Sequence, residues 1–270
     1  MHYKDVALFT DLDGTLFNSQ RQISPENRLA IEAFIADGGS FGISTGRAAS
    51  NALDLVPDIP INTWSVVLNG AAAYHHESGR IAPVSCLPKD TMESEIRWVL
   101  QALPEIQIML CTDGPLLFLS DLDMIDHDFW VSHQPMSHVT VDEALEYTWL
   151  KVLFCAPRPV LEKLKAHAED TGAAEAMYCV YTNEVYLEFL PREVNKGRCL
   201  ASLRSMPELQ GKTFIAIGDY TNDIELLQNA DVSVAVGNAL PTVKAVADHV
   251  ICTNDEHAVA YLIRDLIPRL

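Results

Sequence analysis

The sequence predicts an α/β fold: a Rossmann-like parallel sheet core with an α+β cap inserted into it. Three observations carry that expectation. Short apolar runs alternate with helical patterns in the first and last thirds of the 270-residue chain. Most of these runs stop at a polar residue or a glycine, where a strand would hand over to a loop. The middle third changes character, with several short strands around two helices. Strand–helix–strand order with short links implies parallel strands and right-handed crossovers.

Residues 6–9 read as a buried strand ending at Thr10-Asp11. Ser24 then caps a helix, with Pro25 at its first position and Glu26 on the positive end of its dipole. Leu29, Ala33 and Ala36 share one face of that helix, Ile31 and Ile35 form a second apolar row, and Gly38-Gly39 stops it. A second strand over 41–44 runs into Thr45-Gly46-Arg47, and a third over 65–68 runs into Asn69-Gly70. Toward the C-terminus, 196–206 is helical and a strand over 214–217 ends at Gly218-Asp219. A helix over 224–230 precedes a strand over 232–236 that ends at Gly237-Asn238. A helix over 243–247, a brief strand at Val250-Ile251 and a final helix over 258–267 follow.

The middle carries helices over 90–103 and 160–169 and strands over 106–111, 116–119, 150–154, 177–181 and 185–189. The expected domains are therefore a discontinuous core, 1–83 with 189–270, and an α+β cap, 84–188. Trp98 and Trp130 read as cap packing. Asp121-Leu122-Asp123, with Asp126 and Asp128, reads as a solvated acidic face, because no glycine or closing glutamate completes a calcium loop. His75-His76 precede a turn at Glu77-Ser78-Gly79.

With 37 acidic against 19 basic residues, the net charge is −18. Such a surface repels nucleic acids and anionic membranes, so neither is an expected partner. It also opposes a phosphorylated substrate unless a local cation reverses the field. Six cysteines without close spacing read as reduced core thiols of a cytoplasmic protein. The first residues lack the apolar run of a signal peptide, and no stretch is long enough for a membrane span.

In open parallel sheets, ligands bind beyond the carboxyl ends of the strands. Thr10-Asp11, Ser44-Thr45, Asn69-Gly70, Asp219 and Asn238 all fall at such ends and should gather at one edge. In Asp11-Leu12-Asp13-Gly14-Thr15, the glycine lets the chain turn, so both carboxylates can face one ligand. One can attack phosphorus, and the other can protonate the leaving oxygen and then activate water. Asp219 and Asp223 add oxygen ligands suited to Mg²⁺. Thr45 supplies a hydroxyl, Gly46 allows close backbone approach, and Lys196 supplies a positive charge for a phosphoryl group.

These residues resemble four motifs of the haloacid dehalogenase-like (HAD) phosphatases. Asp11 to Thr15 looks like the first motif, Ser44-Thr45-Gly46-Arg47 the second, Lys196 within Val194-Asn195-Lys196-Gly197 the third, and Gly218 to Asp223 the fourth. The long insert between the second and third is similar to the cap of the Cof-type subgroup. Asn69-Gly70-Ala71 and Val236-Gly237-Asn238-Ala239 also resemble signatures of that subgroup.

The resemblance implies an aspartyl-phosphate on Asp11, with Asp13 as general acid/base and its carbonyl on the metal. Thr45 and Lys196 would hold the phosphoryl group. Gly46, Arg47, Asn69, Gly70 and Asn222 would line the substrate site. Asp11, Asp13, Asp219 and Asp223 would serve Mg²⁺, Asp223 as a ligand or as a partner of the ligands. Two positions depart from the pattern: Tyr220 follows the fourth-motif aspartate, and His257 stands where a glycine is usual.

The expected substrate is a small phosphorylated metabolite, such as a sugar phosphate or a flavin-related phosphate, and the expected assembly is a monomer or homodimer. A phosphomutase on the same core and a non-catalytic phosphometabolite sensor are the alternatives. The presence of Asp11, Asp13, Lys196 and Asp219 argues against the sensor.

Overall fold

The computed structural model describes residues 1–120 and 137–270. The acidic face at Asp121, Asp123, Asp126 and Asp128, and the packing expected of Trp130, lie outside the described residues. The chain divides into two compact units, Met1–Arg80 with Asn195–Leu270 and Ile81–Val194. The sequence reading put the junctions at 83/84 and 188/189. The second moves because the last strand of the inserted unit stays paired as far as Pro191.

Strands β1 (Val6–Thr10), β2 (Ser40–Ile43), β3 (Trp64–Val67) and β4 (Ala72–His75) belong to the first unit, and β5 (Arg80–Pro83) straddles the junction. The inserted unit holds β6 (Gln107–Thr112), β7 (Leu116–Phe118), β8 (Ser137–His138), β9 (Trp149–Cys155), β10 (Met177–Asn183) and β11 (Tyr186–Pro191). The chain returns to the first unit with β12 (Thr213–Gly218), β13 (Val232–Ala235) and β14 (His249–Val250).

Among the described residues, the first unit is built on a five-stranded parallel sheet in the order β14-β13-β12-β1-β2. Its central strands are apolar throughout, as strands covered on both faces must be: Val6 to Phe9 and Phe214 to Ile217 are fully buried. Thr10 pairs with Ile217 on one side and Ile43 on the other, so the carboxyl ends of β1, β12 and β2 lie level.

The third predicted strand does not continue this ladder. β3 pairs antiparallel with β4, and only a single Ser44–Val66 bridge ties it to the chain after β2. The reason is local. The Phe41 and Ile43 amides donate to the side-chain oxygens of Asn62 and Ser65, at 2.8 and 3.0 Å, instead of to strand carbonyls. The β4–β5 hairpin and the helix Ala49–Leu55 were not expected from the sequence. The tail predicted as one helix winds unevenly, α-helical over Ala258–Tyr261, wider over Leu262–Leu266 and tighter over Ile267–Arg269.

The helix Pro25–Ala36 starts as expected, with the Ser24 side chain accepting from the Asn27 amide. It ends in a Schellman motif: the Gly39 amide donates to Phe34 and the Gly38 amide, at φ 90°, to Ile35. Its buried face draws on the second apolar row, through Ile31, and not on the first. Asn27, Ala30, Ile31 and Phe34 face inward, whereas Leu29 is 57% exposed and Ala33 and Ala36 are also exposed. Apolar residues ring this helix, so periodicity alone did not choose a side; the Phe34 ring, edge-on to Tyr3 at 5.2 Å, did.

Among the described residues, the inserted unit carries a six-stranded sheet in the order β10-β11-β9-β6-β7-β8, antiparallel except for β7–β8. The helices Lys89–Ala102 and Arg158–Asp170 share its core, where Ile96, Val99, Leu161, Trp149, Phe154 and Phe189 meet. Trp98 packs against this cluster and stacks on His167 at 3.6 Å. Of the six thiols, Cys111, Cys155 and Cys199 are buried, but Cys86 is exposed, which corrects the reading of all six as core groups. Among the described residues, no helix is long and apolar enough to cross a membrane.

His257 takes a left-handed backbone, φ 62° and ψ 46°, which explains why a glycine would suit that position. The inward assignment of the first helix is tested by urea unfolding. Phe34→Ala is expected to cost about 3–5 kcal/mol. Leu29→Ala should stay within about 0.5 kcal/mol. Equal losses would overturn the assignment.

Candidate active site

The level strand ends bring the acidic motifs together. Asp11 follows β1, and its amide donates to the Ile217 carbonyl of β12 at 3.0 Å. The chain then makes a wide turn over Leu12–Leu16, closed by the Leu16 amide on Asp11 and the Phe17 amide on Leu12. Gly14 sits in that turn at φ 85°, and a Cβ there would lie 2.5 Å from Asp219 Oδ2. Only glycine admits both the backbone angle and the carboxylate.

Lys196 starts the helix Lys196–Leu203, whose N-cap is Asn195. Its ammonium is fully buried and donates to Asp11 Oδ1 at 2.7 Å and to Asp223 Oδ1 at 2.6 Å. Asp223 is also fully buried, and its second oxygen accepts the Asp219 and Tyr220 amides at 3.0 and 3.1 Å. Asp219 Oδ1 accepts from the Thr15 hydroxyl at 2.9 Å. One carboxylate oxygen from each of Asp11, Asp219 and Asp223 lies within 4.8 Å of the others.

Burial and its neighbours set the charges. Burial pushes the Asp11 carboxyl well above its ordinary value, Lys196 pulls it back, and Asp223 and Asp219 push again in the upward direction. Burial likewise raises Asp219 to about 6, against the Thr15 hydrogen bond and with help from Asp223. Burial alone would neutralise Lys196, but Asp11 and Asp223 outweigh it and hold the ammonium above its usual range. Three carboxylates face one ammonium, which leaves two negative charges unmatched when all are ionised. A divalent cation with oxygen preference fits that donor set and that deficit.

Asp13 lies apart from this cluster. Both of its oxygens accept from Arg47, from Nε and from a terminal nitrogen at 3.0 Å each, and Arg47 also reaches Asn51. The Asp13 side chain is half exposed, unlike that of Asp11 at 10%. Thr45 is buried, and its hydroxyl accepts the Arg47 amide at 3.2 Å. Asn222 donates to the Asn69 side-chain oxygen at 3.0 Å, and a Cβ on Gly46 would press on the same Asn69 amide at 2.9 Å. These three residues therefore form one patch beside the second motif.

Gly70 belongs elsewhere. Its φ is 96°, and a Cβ would lie 2.1 Å from the Asn195 carbonyl. It admits the start of the lysine helix and leaves no surface for a substrate. The Tyr220 ring is 58% exposed, so it does not crowd the carboxylates; its amide grips Asp223 as a smaller residue's would. Sequence reasoning assigned no role to Thr15, although it closes the first motif, nor to Asn51, whose contact with Arg47 has no sequence signal.

A parallel α/β core with a carboxylate–lysine cluster at its carboxyl edge defines a class of hydrolases. The family model described as haloacid dehalogenase-like hydrolase matches residues 8–263, and the chain belongs to that family. Phosphatase YwpJ of Bacillus subtilis is 29% identical, over 95% of this chain and 98% of that protein. The 5-amino-6-(5-phospho-D-ribitylamino)uracil phosphatase YwtE of the same organism is 25% identical, over 95% and 96%. A haloacid dehalogenase-like hydrolase from Bacteroides thetaiotaomicron has the same fold, with a TM-score of 0.79 at 24% identity over 97% of this chain and 99% of that one.

The raised Asp219 carboxyl makes a prediction about stability. Its value moves from 3.8 in the open chain to about 6 in the folded, metal-free protein. Between those values the folded state holds more protons than the unfolded one, so stability falls as pH rises through the window. Asp219→Asn, measured by thermal melts in chelator, is expected to melt higher than the parent at about pH 7.5, with the gain vanishing toward about pH 4. A gain independent of pH would contradict the assignment.

Proposed function

We propose that the protein is a Mg²⁺-dependent phosphatase that hydrolyses small phosphorylated metabolites through an aspartyl-phosphate on Asp11. The observation that carries this reading is the buried Lys196 ammonium held between Asp11 and Asp223, with Asp219 alongside at the sheet edge. The kinship with YwpJ and YwtE supports phosphomonoester hydrolysis. The name of YwtE favours a phosphate on a sugar or polyol chain. The free cysteines support a cytoplasmic location.

Asp11, the Asp13 backbone carbonyl and Asp219 would hold Mg²⁺. When bound, the ion neutralises the phosphoryl oxygens and the carboxylates that face them. Asp223 spends both oxygens on Lys196 and two backbone amides, so its part is to fix Lys196 and the Asp219 loop. Thr45 and Lys196 hold the phosphoryl oxygens, and the Asn69–Asn222–Gly46 patch bears on the substrate beside them.

An oxygen of Asp11 attacks phosphorus and the ester P–O bond breaks. Asp13, once it leaves Arg47 and takes up a proton from solvent, gives that proton to the leaving oxygen. Asp13 then takes a proton from water, the water oxygen bonds to phosphorus as the bond from phosphorus to the Asp11 oxygen breaks, and the Asp11 carboxylate is regenerated. Inorganic phosphate and an alcohol are the products.

Phosphate release from p-nitrophenyl phosphate and from a panel of sugar, polyol and nucleotide monoesters tests the reading. Turnover is expected with Mg²⁺ and not with EDTA. Asp11→Asn should lower kcat by at least about 10³-fold, because it removes the nucleophile. An Asp11→Asn protein of parental activity would refute the mechanism.

A further inference from the structure

Asn238 stands at the sheet edge and has no part in the chemistry above, yet it joins the walls of the site. The loop after β13 returns toward β12 and β1. There the Leu240 amide donates to the Asp219 carbonyl at 3.0 Å, and the Asn238 side-chain amide donates to the Gly14 carbonyl at 2.8 Å. One short loop thus grips both backbone segments that carry the first and fourth motifs. Lys244 fixes the loop in turn, its ammonium donating to the Gly237 carbonyl at 2.5 Å.

A second asparagine decides which way the Asn238 amide faces. The Asn254 backbone amide donates to Asn238 Oδ1 at 2.9 Å, which requires an acceptor there and turns the nitrogen toward Gly14. The Asn254 side chain is buried and donates to the Phe17 carbonyl at 2.9 Å, three residues beyond Gly14. The wide turn over Leu12–Leu16 is therefore held at Gly14 and again just past its end. That turn has reason to need holding. It carries Asp13, its Thr15 hydroxyl donates to Asp219, and its Gly14 backbone is left-handed.

We infer that Asn238 is a positioning residue: through the Gly14 carbonyl it sets the spacing between the Asp11–Asp13 turn and Asp219. Substrate binding does not depend on it, and the rate of the chemical step does. The kinetic half of this inference rests on the phosphatase reading; the structural half does not.

Asn238→Asp is the informative variant. It keeps size and the acceptor for the Asn254 amide, but it replaces the donor to Gly14 by a charged oxygen that repels that carbonyl, so Asn238→Ala, which removes the donor without adding charge, is measured beside it. With p-nitrophenyl phosphate and Mg²⁺, kcat is expected to fall about tenfold with KM within about twofold, since a displaced turn misplaces the reacting groups without removing a substrate contact. Asn238→Ala should behave alike. In parallel, amide hydrogen exchange by NMR should show the Leu16 and Phe17 amides exchanging about tenfold faster in both variants, with the β1 amides unchanged.

Unchanged kcat together with unchanged exchange in the turn overturns the inference. So does a change of KM alone, which would make Asn238 a substrate contact. Faster exchange across β1 as well would make it a general stability residue, and this too overturns it. If the parent protein releases no phosphate from any monoester, the phosphatase reading fails, and the exchange experiment still decides the role of Asn238 in the turn.

Discussion

The site depends on a buried ammonium. Lys196 has no exposed surface, and taking such a charge out of water costs several kcal/mol unless it is paired and hydrogen-bonded. Asp11 and Asp223 meet that requirement from opposite ends of the chain, 185 and 27 residues away. The arrangement makes folding and site assembly one event. Removing either carboxylate leaves the buried ammonium with one partner instead of two. Asp223 is tied as well to the Asp219 and Tyr220 amides, so a single side chain sets the lysine, the turn after β12 and the direction of Asp219.

The same cluster resolves the conflict between an acidic protein and an anionic ligand. A net charge of −18 repels phosphate at long range, but salt screens that field beyond about 10 Å. At the sheet edge the deficit is local: three carboxylates, one ammonium, and two of the acids held above their ordinary values. That unmatched charge fits the cation proposed for this site. A structural ion-pair network would have matched its charges, as Lys151 and Glu188 do within the inserted unit.

The strand ends were legible because parallel central strands are apolar without interruption, and Val6 to Phe9 and Phe214 to Ile217 stop at functional residues. The cap of the first helix was legible because Ser24, Pro25 and Glu26 act through local backbone bonds. The buried face of that helix was not, since Leu29 and Ala33 are as apolar as Ala30 and Ile31, and only tertiary packing of Phe34 chose between them. The place of β3 also escaped, because two side-chain oxygens, from Asn62 and Ser65, displaced the strand carbonyls. Motif membership named the candidate site residues but not their partners. Gly70 falls in a motif that implies a ligand contact, yet it packs on Asn195, and no sequence signal pairs Thr15 with Asp219.

The two ion pairs of the site differ in burial, and the difference assigns their mobility. Lys196 with Asp11 and Asp223 is buried, so its geometry is expensive to change. Arg47 with Asp13 is partly exposed, and such pairs are worth about 0–1 kcal/mol. A nucleophile gains from being held still, because its distance to phosphorus sets the rate. A general acid must instead visit two positions, the leaving oxygen and then the water. An exposed arginine partner holds Asp13 near the site without fixing it there. The Asp11-Leu12-Asp13 spacing thus places two chemically identical carboxylates two residues apart in different environments, and in the proposed mechanism burial, not residue type, separates their roles.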